Sequence, residues 1–393
     1  MTAAARARSS YEGVAVACPV TVPYRRYSTH GAHWWIGRAM DLLVERSGIA
    51  KEQIDGLTVS SFSLVPDTAV GVTQHLGLSP RWLDHIPTGG ASGVMALRRA
   101  ARAVQAGDAD IVACVSGDAN HVESFRQMLG GFSHFARDAS YPYGSGGPNS
   151  IFAFITAAYM RAFGAERADF GRICVAQRAN ALKNPNALFK VPLSLEQYLD
   201  ARPIAEPIHL FDCVMPCAGA EAFLVMSDQR ARDLGLGHVL VRAAIERHNA
   251  YAEDPVLVRG GWAVDRDELY AMAGASPDAI DFVQTYDDYP VVVMLQFEDL
   301  GFCAKGEGPE FVRARTLTHA GDFPNNTSGG QLSAGQAGCA GGFLGMTEAI
   351  RQLTDDAGAR AVTDAKVGLV SGFGMVTYDR CLCTGAVILG RSS

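Results

Sequence analysis

The sequence of 393 residues has no clustered charge and no long apolar run. No window approaches the roughly 18–20 consecutive apolar residues that a membrane-spanning helix requires, so we expect no membrane segment. The opening MTAAARARSSYEG has no apolar stretch behind it, and we expect no secretory signal peptide. A net charge of −7 and the lack of a basic run argue against a nucleic-acid partner. These absences favour a cytoplasmic globular protein.

Motifs for bound cofactors and metals are missing too. The sequence has neither a GxGxxG pattern nor a Walker phosphate loop, so we expect no bound nucleotide cofactor. Its nine cysteines are odd in number and scattered, which indicates reduced thiols rather than a disulfide framework. Cys213 and Cys217 have no second pair of ligands nearby, and we expect no metal site. The open question is whether any cysteine is a nucleophile.

What the sequence does contain is an alternation of buried strands and helices. Asp110–Val115 is a short apolar run typical of a buried strand. Before it, Gly93–Gln105 has small and apolar residues on one face of a helix, which Gly107 ends. Glu221–Met226 and Ala386–Leu389 are further buried strands. This alternation predicts an α/β architecture with a covered sheet.

Four segments recur in the same order in the two halves of the chain, which predicts a duplication. The pairs are IDGLTV at 54–59 with IDFVQT at 280–285, GASG at 90–93 with CAGG at 339–342, VSG at 115–117 with VSG at 370–372, and AFLV at 222–225 with AVIL at 386–389. The spacing between the last pair is shorter by about 90 residues, so the first half carries an insertion. We expect a first half at 1–117 and 209–235, an inserted loop domain or substrate lid at 118–208, and a second half at 236–393.

Fused α/β halves, a glycine-rich helix start in each and a large first-half insertion resemble the thiolase superfamily. The resemblance is closest to the sterol-carrier-protein type of thiolase-like protein. It is strongest over GGASGVMAL at 89–97, DFVQTYDDYPVVVMLQFEDLG at 281–301 and the stretch at 325–353 that begins NNTSGGQLS. It implies a thiolase fold, in which two duplicated βαβαβαββ halves form a five-layered αβαβα core, and it implies a homodimer.

The residues that carry thiolase chemistry are replaced. The family's nucleophilic cysteine, in a Cys-x-Ser-Gly pattern, corresponds to Gly90. The histidine of its Gly-His-Pro motif corresponds to Gln336, and that of its His-Asp-x-Phe motif to Tyr286. No cysteine lies in the glycine cluster at 371–374. Acyl-enzyme chemistry needs a thiolate and a base, so we do not expect a conventional cysteine-dependent thiolase.

A site for an oxyanion nevertheless remains. Gly90 and Ser92 lie at a helix start, where free N–H groups point outward, and Gly374 adds a second N–H in the family's geometry. Such donors can hold the enolate of a thioester. Gln336 can donate a hydrogen bond from its amide but cannot act as a base.

Tyr286, Asp287, Asp288 and Tyr289 form the polar cluster expected to exchange protons with a substrate. Tyr286 and Asp288 are rival candidates for the base, because adjacent carboxylates raise the pKa of a tyrosine. The alternative is that Tyr289 faces the core and that one aspartate caps a helix. Tyr378, after the C-terminal glycine cluster, is a further candidate.

These features suit retro-aldol cleavage of a β-hydroxyacyl-CoA, with coenzyme A as part of the substrate. The resemblance points to aldolases that remove steroid side chains, lack the cysteine, use active-site tyrosines and work with a small OB-fold/zinc-ribbon partner. In these aldolases another tyrosine stands at the position of Gln336. Two alternatives stay open. One is a non-catalytic acyl-CoA-binding subunit. The other is an acyltransferase with a displaced nucleophile, either Ser92 or Cys339, the second-half counterpart of Gly90.

Overall fold

The computed structural model describes residues 10–121, 141–144, 147–377 and 380–392. Tyr378 therefore lies outside the described residues. Across the described ranges, no helix is both long enough and apolar enough to cross a bilayer.

The first half contributes four strands and three helices before the insertion. In chain order these are β1 Val14–Arg25, α1 Ala32–Ser47, β2 Gly56–Ser60, α2 Ala69–Leu76, β3 Trp82–His85, α3 Ser92–Ala106 and β4 Ile111–Asp118. The insertion follows with α4 Pro148–Phe163, α5 Arg167–Ala181, α6 Leu195–Leu199, β5 Pro203–Ala205 and β6 Ile208–His209. The first half is completed by β7 Ala218–Ser227 and α7 Asp228–Asp233.

The second half repeats this order except that, in its described residues, no strand corresponds to β3, so the expected βαβαβαββ order is complete only in the first half. Its elements are β8 His238–His248, α8 Trp262–Ala273, β9 Phe282–Gln284, α9 Pro290–Asp299, α10 Gly308–Ala314, α11 Gly330–Ala334, α12 Gly341–Leu353, β10 Val367–Val376 and β11 Cys381–Arg391.

The two halves join into one nine-stranded sheet in the order β3-β2-β4-β7-β1-β8-β11-β10-β9. Counted outward from the β1–β8 junction, β7, β4 and β2 match β11, β10 and β9. Each of the four sequence pairs falls on one such equivalent pair of elements, with α3 matching α12. The predicted duplication is therefore confirmed. At the junction the strands are antiparallel, with Val16 opposite Val239.

Three layers of helices and the two halves of the sheet together make five layers. Helix α1 packs on β1, β4 and β7, and α8 packs on β8 and β11, so these two form the outer layers. Helices α3 and α12 lie in the middle and contact strands of both halves. The predicted α3 is confirmed to within one residue at each end, and Gly107 ends it in the left-handed region at φ +77°.

The two central helices meet at their first turns, where only glycine fits. A Cβ atom on Gly93 would lie 2.2 Å from the carbonyl oxygen of Gly342. One on Gly342 would lie 2.6 Å from the carbonyl oxygen of Gly89. The glycine-rich motifs of the two halves thus allow a direct backbone approach at the centre of the molecule.

In its described residues the insertion contains the helices α4, α5 and α6, and it packs on the second half. Helix α5 packs against α9, α10 and α11. The guanidinium of Arg313 binds the buried carboxylate of Asp169 through two hydrogen bonds of 2.7 Å. The predicted division of the chain at 117, 208 and 235 remains a prediction, although β4 ends and β7 and β8 begin near those positions.

Substitution of Gly93 by alanine should destabilise the fold by about 1–3 kcal/mol, because the new methyl group meets a backbone carbonyl. Gly71→Ala is the matched control. Gly71 lies in α2 with open space around its Cα, so alanine there should be neutral or stabilise by about 0.5–1 kcal/mol. Urea unfolding of both variants measures the difference. Equal effects would contradict the close approach of the helix starts.

Candidate active site

Tyr286 lies just beyond β9, in the turn that leads to α9. Gln296, fully buried in α9, clamps its backbone. The Tyr286 N–H donates to Oε1 of Gln296 at 3.0 Å, and Nε2 of Gln296 donates to the Tyr286 carbonyl at 2.7 Å. The hydroxyl of Ser371, on β10, donates to the same Oε1. This clamp fixes where the tyrosine side chain leaves the backbone.

The ring of Tyr286 occupies the space beside Gly90. A Cβ atom on Gly90 would lie 1.8 Å from Cε2 of the ring. Phe373 stacks on the ring, with centroids 6.2 Å apart and planes within 14°. A nucleophilic side chain at residue 90 and this tyrosine are therefore mutually exclusive. Replacement of the nucleophilic side chain by glycine and occupation of its space by the tyrosine ring are therefore linked.

The hydroxyl of Tyr286 contacts the side chains of Asp288 and Gln331. Burial raises the pKa of Tyr286 well above its ordinary value, and the carboxylate of Asp288 raises it further. Burial also raises the pKa of Asp288, to about 6, against the hydrogen bond from Tyr286 that lowers it. Oδ1 of Asp288 has no hydrogen-bond partner among the described residues. These pKa directions favour a neutral phenol that donates to Asp288, the better proton acceptor.

Asp287 points the other way and caps a helix. Its carboxylate accepts the backbone N–H groups of Gln331 at 2.9 Å and Leu332 at 3.1 Å, at the start of α11. Burial raises the pKa of Asp287 to about 8, while those two N–H groups lower it. A Cβ on Gly330 would lie 2.1 Å from its Oδ2, so the capping turn needs glycine there. The structure places Asp287 in the capping role that the sequence left open for one aspartate.

Tyr289 faces the insertion. Its ring stacks on Phe152 of α4, with centroids 4.1 Å apart. Its hydroxyl donates to Oδ1 of Asn149, also on α4. Tyr289 therefore lies in the core, between the insertion and the second half, rather than beside Gly90.

The predicted oxyanion residues do come together. A Cβ on Gly374 would lie 1.9 Å from the carbonyl oxygen of Thr88, so the end of β10 lies directly against the turn that contains Gly90. The hydroxyl of Ser92 donates to the Ile86 carbonyl at 2.9 Å and accepts the Thr88 N–H at 3.1 Å. Because these bonds occupy the Ser92 hydroxyl, this residue offers no free nucleophile, and its backbone N–H already donates to the Gly89 carbonyl.

Cys339 and Gln336 lie in the segment before α12, and neither lines the cavity that Tyr286 lines. Cys339 is fully buried, and burial raises the pKa of its thiol well above the ordinary value. A neutral thiol is a poor nucleophile. The amide of Gln336 turns back on its own loop, donating to the Gly338 carbonyl at 3.3 Å and accepting the Gly338 N–H at 3.4 Å. The oxyanion role of Gln336 stays a prediction.

A small enclosed cavity of about 10 Å³ lies beneath Tyr286. The starts of both central helices line it, together with Tyr286, Asp287 and Gln331. Gln331 and Gln296 were missed by the sequence analysis. Gln331 was visible as the one long polar side chain in NTSGGQLS, and Gln296 as the only amide in the apolar run PVVVMLQF. Nowhere in the described ranges do three or more histidine, cysteine or acidic side chains group to hold a metal ion.

Comparisons with known proteins identify relatives of this chain. Residues 243–390 match the thiolase C-terminal domain-like family. The steroid side-chain-cleaving aldolase of Thermomonospora curvata is 31% identical over 321 residues, covering 78% of this chain and 81% of the relative. The 17-hydroxy-3-oxo-4-pregnene-20-carboxyl-CoA lyase of Mycobacterium tuberculosis is 31% identical over 333 residues, covering 80% and 84%. A solved structure described as the Ltp2-ChsH2(DUF35) aldolase superimposes with a TM-score of 0.83 at 27% identity, over 96% of this chain and 98% of that one.

The steric overlap between a side chain at residue 90 and the ring of Tyr286 predicts that substitutions at these two positions have non-additive effects on the free energy of unfolding. Gly90→Ala should destabilise the fold by about 1–3 kcal/mol, because its methyl group must displace the ring. In a Tyr286→Ala background the same change should cost at least about 1 kcal/mol less. Urea unfolding of the four proteins in this cycle measures the coupling.

Gly171→Ala provides the control for that cycle. Its Cβ would meet a different tyrosine, Tyr198, at 2.6 Å. Its destabilisation should be the same with or without Tyr286, within about 0.5 kcal/mol. Additive effects for Gly90→Ala would show that the ring does not fill the space at residue 90.

Proposed function

The chain belongs to the thiolase-like family that includes the steroid side-chain-cleaving aldolases, and from that premise we propose how its own residues perform the reaction. It is an acyl-CoA-dependent carbon–carbon lyase with a thiolase fold. The reaction proposed is retro-aldol cleavage of a β-hydroxyacyl-CoA, or its reverse. The observation that carries it is the tyrosine ring in the space beside Gly90, which removes acyl transfer to residue 90 and puts an acid–base group there.

Proton transfer begins at the substrate's β-hydroxyl. This hydroxyl donates to the oxygen of Tyr286, whose own proton passes to Asp288. The Cα–Cβ bond breaks as the β-oxygen becomes a carbonyl, and the electron pair moves into the thioester to form its enolate. The ketone or aldehyde leaves. The proton held by Asp288 then returns through Tyr286 to the enolate carbon, which yields the shortened acyl-CoA and restores the enzyme.

The enolate oxygen is held by backbone donors. The donor proposed is the N–H of Gly90, in the turn that leads into α3, where the helix dipole favours negative charge; the N–H groups of Ala91 and Ser92 already donate to the carbonyls of Thr88 and Gly89. Gly374 brings the backbone of β10 to the same turn. Because these donors are fixed by packing, they stabilise the enolate without reorganising.

We propose that coenzyme A takes part only as a portion of the substrate and that the acyl group is a sterol or other lipid side chain. We further propose a homodimer that works with a small OB-fold/zinc-ribbon partner. The solved aldolase described as Ltp2-ChsH2(DUF35) supports the partner. The edge strand β3, half-buried along its length, offers a surface for the dimer. The two alternative functions are not favoured, since the two relatives described above are an aldolase and a lyase, and since Ser92 and Cys339 lack the character of nucleophiles.

The test is cleavage of β-hydroxyacyl-CoA esters, with and without a candidate partner, followed by detection of acetyl-CoA or propionyl-CoA and the ketone or aldehyde. Tyr286→Phe and Asp288→Asn should each lower kcat by roughly 10²–10⁴-fold, because each interrupts proton transfer. Tyr270→Phe removes another buried, hydrogen-bonded phenol, on α8, and should leave kcat within a few-fold. If Tyr286→Phe kept full activity, Asp288 alone would be the base that accepts the proton of the substrate hydroxyl. An acyl adduct on Cys339 or Ser92 by intact mass would favour an acyltransferase instead.

The pKa of Asp288 predicts how activity in the same assay depends on pH: kcat/KM should decrease on the acidic side of the profile, in an acidic limb. Asp288 must be ionised to accept the proton, and burial raises its pKa to about 6. Activity should therefore be full above that value and fall as the pH drops through it. The midpoint of this decrease in kcat/KM gives the pKa of Asp288 in the free enzyme. A profile flat from pH 5 to pH 7 would exclude Asp288 as the acceptor.

A further inference from the structure

Gln331 reaches the catalytic tyrosine from α11 and has no role in the scheme above. It is 1% exposed, and it lines the cavity beneath Tyr286. Its backbone N–H donates to Oδ1 of Asp287 at 2.9 Å, and its Nε2 lies 3.5 Å from the same oxygen. A Cβ on Gly341 would lie 2.2 Å from its Oε1, so the start of α12 passes directly against the carboxamide.

These contacts fix which way the carboxamide faces. The opposite orientation would place Oε1 against Oδ1 of Asp287, which already accepts the Gln331 N–H, and two acceptors repel each other. With Nε2 toward Asp287, one N–H serves that carboxylate and the other is free for the hydroxyl of Tyr286, which Gln331 contacts. Oε1 is left without a hydrogen-bond partner among the described residues. Asp287 thus acts on the site through Gln331.

The direction of the Tyr286 proton follows from that contact. A phenol oxygen has one proton and can accept hydrogen bonds. Once the amide of Gln331 donates to it, its own proton cannot point toward Gln331 and is directed to Asp288, while acceptor capacity remains for a substrate hydroxyl. We propose that Gln331 is a positioning residue that orients the hydroxyl of Tyr286 toward Asp288 and so sets the path of proton transfer. This inference rests on the function proposed above.

The variant that tests it is Gln331→Met, which keeps the length of the side chain and removes its donors. We expect kcat to fall roughly 10–100-fold with KM little changed, because the phenol is no longer held in the productive direction. The acidic limb of kcat/KM should also move up by about one pH unit, because Asp288 loses part of the hydrogen bond from Tyr286 that lowers its pKa. The other titratable groups facing Asp288 stay unchanged, namely Asp287, Tyr289 and Cys213.

Gln352→Met is the matched control. Gln352 is another buried amide, on α12, bonded to Thr327, Glu348 and the Arg360 carbonyl. Its loss should lower thermal stability without moving the acidic limb. If Gln331→Met left kcat and the limb at wild-type values, or if both variants moved the limb equally, the proposal would be overturned.

A measurement without substrate separates this proposal from the proposed function. Carboxyl ¹³C NMR of aspartate-labelled protein, with Asp288 assigned by Asp288→Asn, follows the titration of Asp288 in the free enzyme. Gln331→Met should raise the midpoint by about one unit even if no acyl-CoA is cleaved. An unchanged midpoint would overturn the positioning role, whereas lack of turnover by the wild type with a shifted midpoint would count against the reaction alone.

Discussion

The organisation of the site depends on one steric constraint. The ring of Tyr286 and any side chain at residue 90 compete for the same space, since a Cβ there would lie 1.8 Å from the ring. The ring must shift before any side chain fits at residue 90, at a cost of about 1–3 kcal/mol. The chain therefore presents a bare helix start opposite a phenol, and its chemistry is proton transfer beside an anion-binding backbone.

Buried amides hold this arrangement in place. Gln296 clamps the backbone of Tyr286, and Gln331 meets its hydroxyl, so the residue is bound at both ends. Glutamine suits both tasks because it donates and accepts without adding charge to a site that already contains two aspartates. The two aspartates have different roles. Asp287 accepts backbone N–H groups at the start of α11, and Asp288 is available to accept a proton.

Features with a local cause could be predicted from sequence. Helix α3 and its end at Gly107 follow from periodicity and a left-handed glycine, and the duplication follows from repeated motifs. Tyr286 and Asp288 could be named because they replace or adjoin motif residues. The roles of Gln331 and Gln296 could not, because each depends on a partner brought close by tertiary packing. For the same reason, the sequence could not show which aspartate caps a helix, or that Cys339 is too deeply buried to act as a nucleophile.

The close contact between Gly90 and Tyr286 also constrains how this chemistry could have arisen. A single change from glycine to cysteine would collide with the ring, and a single change from tyrosine to a smaller residue would leave a site with neither nucleophile nor phenol. Passage between an acyl-transferring ancestor and this lyase therefore crosses a state that performs neither reaction well.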